Sequence, residues 1–341
     1  MLALLALLSL LIVAFVAPVG KAPTTPLAAV HFAIVGDFGV DTTAEADVAT
    51  LIRGWNPDFV VTVGDNNYPD GKASTIDKNI GKYYQEFIAP YHGDYGPGAA
   101  TNRFFPVLGN HDWHSIKCSG QDCTGAYFDY FELPNNERYY DFVQGPVHFF
   151  MLDSDSGEPD GIKATSVQAA WLQAALAAST ARWKVVLLHH PPYSSGTHGS
   201  TSTMQWPYAA WGADAVFAGH DHIYERLLVD GFPYFVNGAG GRNLYSCGSV
   251  IPASVICYDS DYGAMLVDAD DTTMTLQFIN RAGEVIDSST LRQADAPTPS
   301  MTMTAFTPTP TATPTVTPTP STRVTAVPFD YQIHLPLVQD P

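Results

Sequence analysis

The chain has 341 residues, 46% hydrophobic and only 15% charged, with a formal net charge of −18. That length allows one large domain or two small ones, and the apolar content is enough for a sizeable core. The acidic balance argues against nucleic acid or an anionic membrane as partner, because either demands a basic face, so an anionic substrate would need positive charge from elsewhere, such as a cluster of metal ions.

Residues 1–22 open on MLALLALLSLLIVAFVAPVG, an apolar run of signal-peptide type with no Lys or Arg before it. A retained anchor is the competing reading, since the run approaches spanning length. Either way the body is expected outside the cytoplasm, secreted or extracytoplasmic. Residues 27–293 read as one continuous domain without internal repeat. Its apolar runs are short and rich in β-branched residues: HFAIV, DFVVTV, FFPVL, VHFFML, KVVLL, AVFA, PYFV, AMLV and MTLQFI. Such runs fit strands covered on both faces. Between the first two, Ala44, Val48, Leu51, Ile52 and Trp55 fall on one helical face. A second helix is predicted over TSVQAAWLQAALAAS, with Thr165 and Gln168 at capping-box spacing. Later in the chain Asp230-Gly231 and the NRAGE segment near Gly283 read as hairpin turns. The pattern predicts an α/β sandwich with a mixed-sheet core. Residues 294–322 form a Thr/Pro-rich linker that cannot build a core and is expected to be disordered. Residues 323–341 are a short tail, read as a sorting or wall-association signal for a cell surface, with a merely sticky end as the alternative.

Four cysteines, Cys118, Cys123, Cys247 and Cys257, suit disulfides in an exported chain. Two local staples are the simplest of the three possible pairings. Neither spacing has the short knuckle form of a zinc site.

The chemistry gathers just after the apolar runs. AIVGDFG places Asp37 at one strand end, and VTVGDNNY places Asp65 and Tyr68 at a second. PVLGNHD supplies Asn110 and His111, VVLLHH supplies His189, and VFAGHDH supplies His220 and His222. Ligands of open α/β sheets gather beyond the carboxyl ends of strands. Oxygen and imidazole donors without thiolates suit hard or borderline cations. One Gly-Asp would be ordinary turn chemistry; five strand ends of this kind point to a metal site.

The ordered set GD-x-G, GD-x-x-Y, GNHD, V-x-x-H and GH-x-H-x-Y-E-R, spanning roughly residues 31–290, resembles the purple acid phosphatases of the calcineurin-like metallophosphoesterases, in their small single-domain form. The resemblance implies a four-layer αββα sandwich with two mixed sheets. It also implies that Asp37, Asp65, Tyr68 and His222 hold an Fe(III), and that Asn110, His189 and His220 hold a divalent iron, zinc or manganese, with Asp65 bridging. Two carboxylates and a phenolate then carry −3 against +5, which leaves charge for a phosphate ester. The expected activity is hydrolysis of small phosphate monoesters by a metal-bound hydroxide, with phosphodiesterase or nucleotidase as the alternative. His198, nine residues after His189, matches the family's proton-donor position. His111 is the second catalytic candidate, with Asp112 expected to orient it. His190 is expected to pack, His114 to sit on the rim, Glu225 and Arg226 to pair with each other, and the VNGAGGR stretch to turn near the site. Trp206, Tyr208 and Trp211 are expected to pack rather than line a cleft.

Overall fold

Two mixed β-sheets lie face to face in the computed structural model, which describes residues 27–293. The apolar leader, the Thr/Pro linker and the tail lie outside the described residues, among which no helix is long and apolar enough to cross a membrane. In the first sheet, strand Val30–Val35 runs parallel to Phe59–Thr62, and that strand parallel to the short Phe104–Phe105. On the other side of Val30–Val35 the sheet continues antiparallel through Gly263–Ala269, Thr273–Asn280 and Val285–Arg292. The second sheet has four parallel strands at its centre, Val147–Met151, Trp183–Leu187, Ala215–Ala218 and Phe232–Asn237. Antiparallel strands flank them: Tyr140–Gln144 on one side, Tyr224–Val229 and Ser254–Tyr258 on the other.

The apolar runs lack polar alternation because each strand serves two cores. Phe32, Ile34, Phe59 and Val61 face the second sheet, where Phe149, Val185, Leu187, Phe217 and Phe235 meet them. Phe32 stacks on Phe59 at 5.0 Å and meets Phe149 edge-on at 5.1 Å, stitching the sheets together. Contacts of this kind contribute about 0.5–1.5 kcal/mol each beyond the area they bury. The intervening residues Ala33, Val35 and Val60 share a core with Val48 and Ile52 of helix Thr43–Trp55. Phe150, Val186 and Val216 do the same with Leu172 and Leu176 of helix Val167–Ala178. The result is the expected αββα order of layers. Trp206 and Tyr208 are buried in that last core, so they pack.

Local signals behave unevenly. Thr42 caps the first helix by accepting from Glu45 N. The second helix is capped by Ser166, not Thr165, and Gln168 does not reach back to the cap. Gln168 is buried instead and bonds both backbone groups of Asp153, so a tertiary partner overrides the capping box. The Asp230-Gly231 turn closes the hairpin of Tyr224–Val229 with Phe232–Asn237. The disulfides are the two local staples, Cys118–Cys123 and Cys247–Cys257.

Candidate metal centre

Both sheets send donor side chains to one place. Val30–Val35 leads to Gly36-Asp37, Phe59–Thr62 to Gly64-Asp65, Trp183–Leu187 to His189, Ala215–Ala218 to Gly219-His220, and Phe104–Phe105 to Gly109-Asn110. Asp37, Asp65 and His220 all take left-handed backbone, at φ 55°, 52° and 70°. Each costs about 1–3 kcal/mol for a residue with a Cβ, and strain of this kind collects where a chain must aim a side chain. Gly64 is required twice over: its φ is 93°, and a Cβ there would stand 2.5 Å from His189 Nδ1. A Cβ on Gly109 would run into the Asp65 backbone.

Tyr68 turns inward. Its Oη lies 2.8 Å from Asp65 Oδ2, 3.3 Å from Asp37 Oδ1 and 3.2 Å from His222 Nε2. Donor atoms of Asp37, Asp65 and His222 all fall within 4.8 Å of one another, in a buried setting. A second group adjoins the first: His189 Nε2 is 3.0 Å from Asn110 Oδ1, 3.2 Å from His220 Nδ1 and 3.4 Å from Asp65 Oδ1. Asp65 thus offers one oxygen to each group. Two of the imidazoles are aimed by backbone carbonyls. His189 Nδ1 donates to Val63 O at 2.8 Å and His222 Nδ1 to Asn243 O at 2.7 Å, which leaves Nε2 of each ring for the centre.

The electrostatics describe a pocket short of positive charge. Burial holds the Asp37 carboxyl above its ordinary range. For Asp65 burial pushes up, yet the His189 charge and its other hydrogen-bond partners outweigh it and hold the carboxyl low. Burial alone would lower His189, but Asp65 and Asp37 pull its imidazole up to about 10. The Tyr68 phenol is driven well above 10 by burial and by Asp65. Surrounded by protein alone, Asp37, His189 and Tyr68 keep protons around the ionised Asp65; a multivalent cation answers the same field. Clustered carboxylates, a phenol, an amide and carbonyl-aimed imidazoles therefore fit a pair of cations.

Around this centre stand the remaining candidates. His198 is exposed and stacks on the His220 ring at 4.2 Å. His111 packs on the Tyr68 ring at 4.3 Å, with Nε2 at 3.9 Å from Asp65 Oδ2. His114 is an exposed rim residue near Pro69 O. His190 bonds Ser154 Oγ at 2.9 Å, and burial together with the His189 charge pushes it down to about 3.

Two expectations need correction. Asp112 does not orient His111, whose Nδ1 donates to Pro69 O at 2.6 Å. The buried Asp112 carboxylate instead accepts from Gly109 N and from Asn66, because the short helical turn Asn110–Trp113 points it back toward its own start. Burial and the nearby Asp65 charge raise it to about 7. Glu225 and Arg226 are not a pair either. Neighbours on a strand face opposite sides: Arg226 binds Asp287 at 2.6 and 2.9 Å, while Glu225 accepts from Ser195.

Sequence reasoning passed over Asn66, Asp221, Arg242 and Tyr245. Asn66 is buried and links Thr62, Val107 and Asp112. The VNGAGGR stretch does turn beside the site: Arg242 N donates to Asp37 O, and its guanidinium lies 5.0 Å over the Tyr68 ring. Tyr245 stacks on His222 at 4.0 Å. The signal for Asn66 and Asp221 was present, as extra polar residues within GDNNY and GHDH.

Residues 30–224 match the calcineurin-like phosphoesterase family. The chain belongs to that family. It is 30% identical over 245 residues to purple acid phosphatase 15 of Arabidopsis thaliana, covering 62% of this chain and 45% of that protein. With human tartrate-resistant acid phosphatase type 5 it shares 25% identity over 244 residues, 62% of this chain and 73% of the relative. Purple acid phosphatase 23 of Arabidopsis thaliana is matched over 47% of its length at 29% identity, so the chain spans about half the length of these two plant relatives. Two solved structures share the fold at a TM-score of 0.60. The yellow lupin purple acid phosphatase is 19% identical, with 78% of this chain and 54% of that one covered. GAP50, the anchor in the inner membrane complex of Plasmodium, is 20% identical, with 77% and 89% covered.

Proposed function

We propose that this phosphoesterase-family chain is an exported acid phosphatase with a binuclear metal centre, acting on phosphate monoesters. The position of Tyr68 carries the reading. A phenol has one proton to donate, yet Tyr68 Oη sits within 3.3 Å of two carboxylates and an imidazole. Without a cation the phenol proton serves one neighbour and the other two contacts need protons on Asp37 and His222; a shared cation serves all four atoms without them. On this reading Asp37, Asp65, Tyr68 and His222 hold Fe(III), and Asn110, His189 and His220 hold a divalent iron, zinc or manganese. Such a pair supplies Lewis acidity toward phosphoryl oxygens and acidifies the water that attacks.

The chain's own residues do the rest. His111, with Nδ1 tied to Pro69 O, keeps Nε2 turned toward the centre, where it hydrogen-bonds a phosphoryl oxygen. Arg242, with no acidic partner among the described residues, adds positive charge over the Tyr68 ring in a chain that is otherwise strongly acidic. His198 gives its N–H proton to the leaving alkoxide oxygen as the P–O bond breaks. The two disulfides accord with a chain made for an oxidising compartment.

The test is to purify the chain, measure metal content and the visible spectrum, and compare rates on monoester and diester nitrophenyl substrates. An iron–phenolate colour that Tyr68→Phe bleaches while metal stays bound, with monoester preferred, is the expected outcome. A colourless protein holding only zinc or manganese overturns the iron assignment. Preference for the diester moves the activity to the phosphodiesterase alternative, and absence of turnover in the metal-loaded protein removes the enzyme reading.

A further inference from the structure

An exposed histidine on an irregular loop is a poor proton donor unless something holds it still. His198 sits on such a loop, Ser194 to Gly199, and ordering a loop side chain costs about 0.5–2 kcal/mol. Beneath that loop lie two carboxylates, Asp221 and Glu225, each fully buried. Asp221 stands between His220 and His222, but it points away from the centre and under the loop. Its Oδ1 accepts the His198 backbone N–H at 2.7 Å, and its Oδ2 accepts Ser194 Oγ at 2.6 Å and Gly199 N at 3.1 Å. A Cβ on Gly196 would run into the Asp221 carboxylate, so the loop is closed down on it. Glu225 takes the next segment: Oε2 accepts Ser195 N at 2.7 Å and Oε1 accepts Ser195 Oγ at 2.6 Å. Ser195 Oγ in turn accepts from Ile251 N, which joins the loop to the segment stapled by Cys247–Cys257.

Among the described residues neither carboxylate has a cationic partner; every contact is a neutral N–H or O–H. Burying a carboxylate this way is expensive unless several donors converge on it. Three converge on Asp221 and two on Glu225, and all belong to residues 194–199. A fold that needed only packing here would do as well with apolar side chains. The same three-residue turn therefore carries two imidazoles to the centre and, from its middle residue, the anchor of the loop above it.

We infer that Asp221, supported by Glu225, is a positioning residue for proton delivery: it fixes the loop backbone so that the His198 ring stands over His220, facing the leaving group. The inference rests on the phosphomonoesterase reading. The step is a proton transfer in which the His198 N–H bond breaks and the O–H bond of the leaving alcohol forms; the neutral imidazole then regains a proton from solvent.

The experiment uses the metal-loaded full chain and two monoesters, a nitrophenyl ester whose leaving group needs no proton and an alkyl ester whose leaving group does. Loss of a general acid costs about 10²–10⁴-fold on the needy substrate. His198→Ala is expected to fall in that range on the alkyl ester. Asp221→Asn is expected to lose at least about tenfold more on the alkyl ester than on the nitrophenyl ester, because a general acid acts only where the leaving group needs it. The double variant should be no slower than His198→Ala alone, since residues acting through one another are non-additive. Glu225→Gln provides a second, milder variant with the same expected pattern. Equal losses on both esters, a further loss in the double variant, or a drop in bound metal overturns the inference. Hydrogen exchange at the His198 and Gly199 amides separates it from the activity reading. If wild type shows no monoester turnover, the reading fails; if those amides stay as protected in Asp221→Asn as in wild type, the clamp itself fails.

Discussion

Replacing Asp37 with Asn should make the metal-free protein more stable and the metal-loaded protein less so. Asp37 and Asp65 bring ligand atoms within 4.8 Å of each other, with Asp37 fully buried. At that separation two full charges repel by about 3.5 kcal/mol at an effective dielectric of about 20. Asn keeps the shape and still accepts the His220 N–H that Asp37 accepts at 2.9 Å. It also forgoes the attraction of the His189 imidazolium, which outweighs the Asp65 repulsion, but it no longer carries the larger cost of burying an ionised carboxylate. At a pH above the raised Asp37 value a net stabilisation of about 1–3 kcal/mol remains, or about 3–8 °C in melting temperature for a domain of this size. The sign with pH follows from the direction of the shift. Burial raises the folded pKa of Asp37, so its contribution is fully present below the ordinary carboxylate value of 3.8 and is lost as pH climbs through the raised value. Metal-free wild type should therefore weaken with rising pH across that window, and Asp37→Asn should lack that component. Thermal melts of both chains, with and without a strong chelator, measure all of this. If the chelated Asn variant melts below chelated wild type, the buried unneutralised carboxylate is not what a cation would relieve, and the electrostatic case for the site collapses.

Asp287→Ala should cost about 3–5 kcal/mol in urea denaturation, because it strands the buried Arg226 guanidinium and the Tyr224 hydroxyl; a loss below about 1 kcal/mol would show that water reaches the pair. Asp214, raised to about 6 by burial, should weaken the fold as pH rises from its ordinary value through 6. Asp214→Asn should flatten that slope, and the partly exposed position reduces the effect to about 1–2 kcal/mol; unchanged curvature in stability against pH would refute it.

The residues named for the centre are readable in sequence because each follows a short apolar run and a local break in the backbone. Gly36-Asp37, Gly64-Asp65 and Gly219-His220 repeat one device, a glycine and then a residue in left-handed backbone at a strand end. Local spacing encodes that device, and the two-core burial of each strand explains why the preceding runs are apolar throughout. The supports are encoded differently. Asn66 and Asp112 are 46 positions apart, Asp221 and His198 23, and Glu225 and Ser195 30. Nothing in a linear window reports such pairings, so Asp112 reads as the partner of adjacent His111, and Glu225 of adjacent Arg226. Both errors assume that adjacency in sequence is contact, and strand alternation and the first turn of a helix defeat that assumption in opposite ways. The useful clue was chemical: two histidines aimed at one centre need no carboxylate between them, so Asp221 in GHDH must answer to something else. In the structure it answers to the backbone of the loop that carries His198.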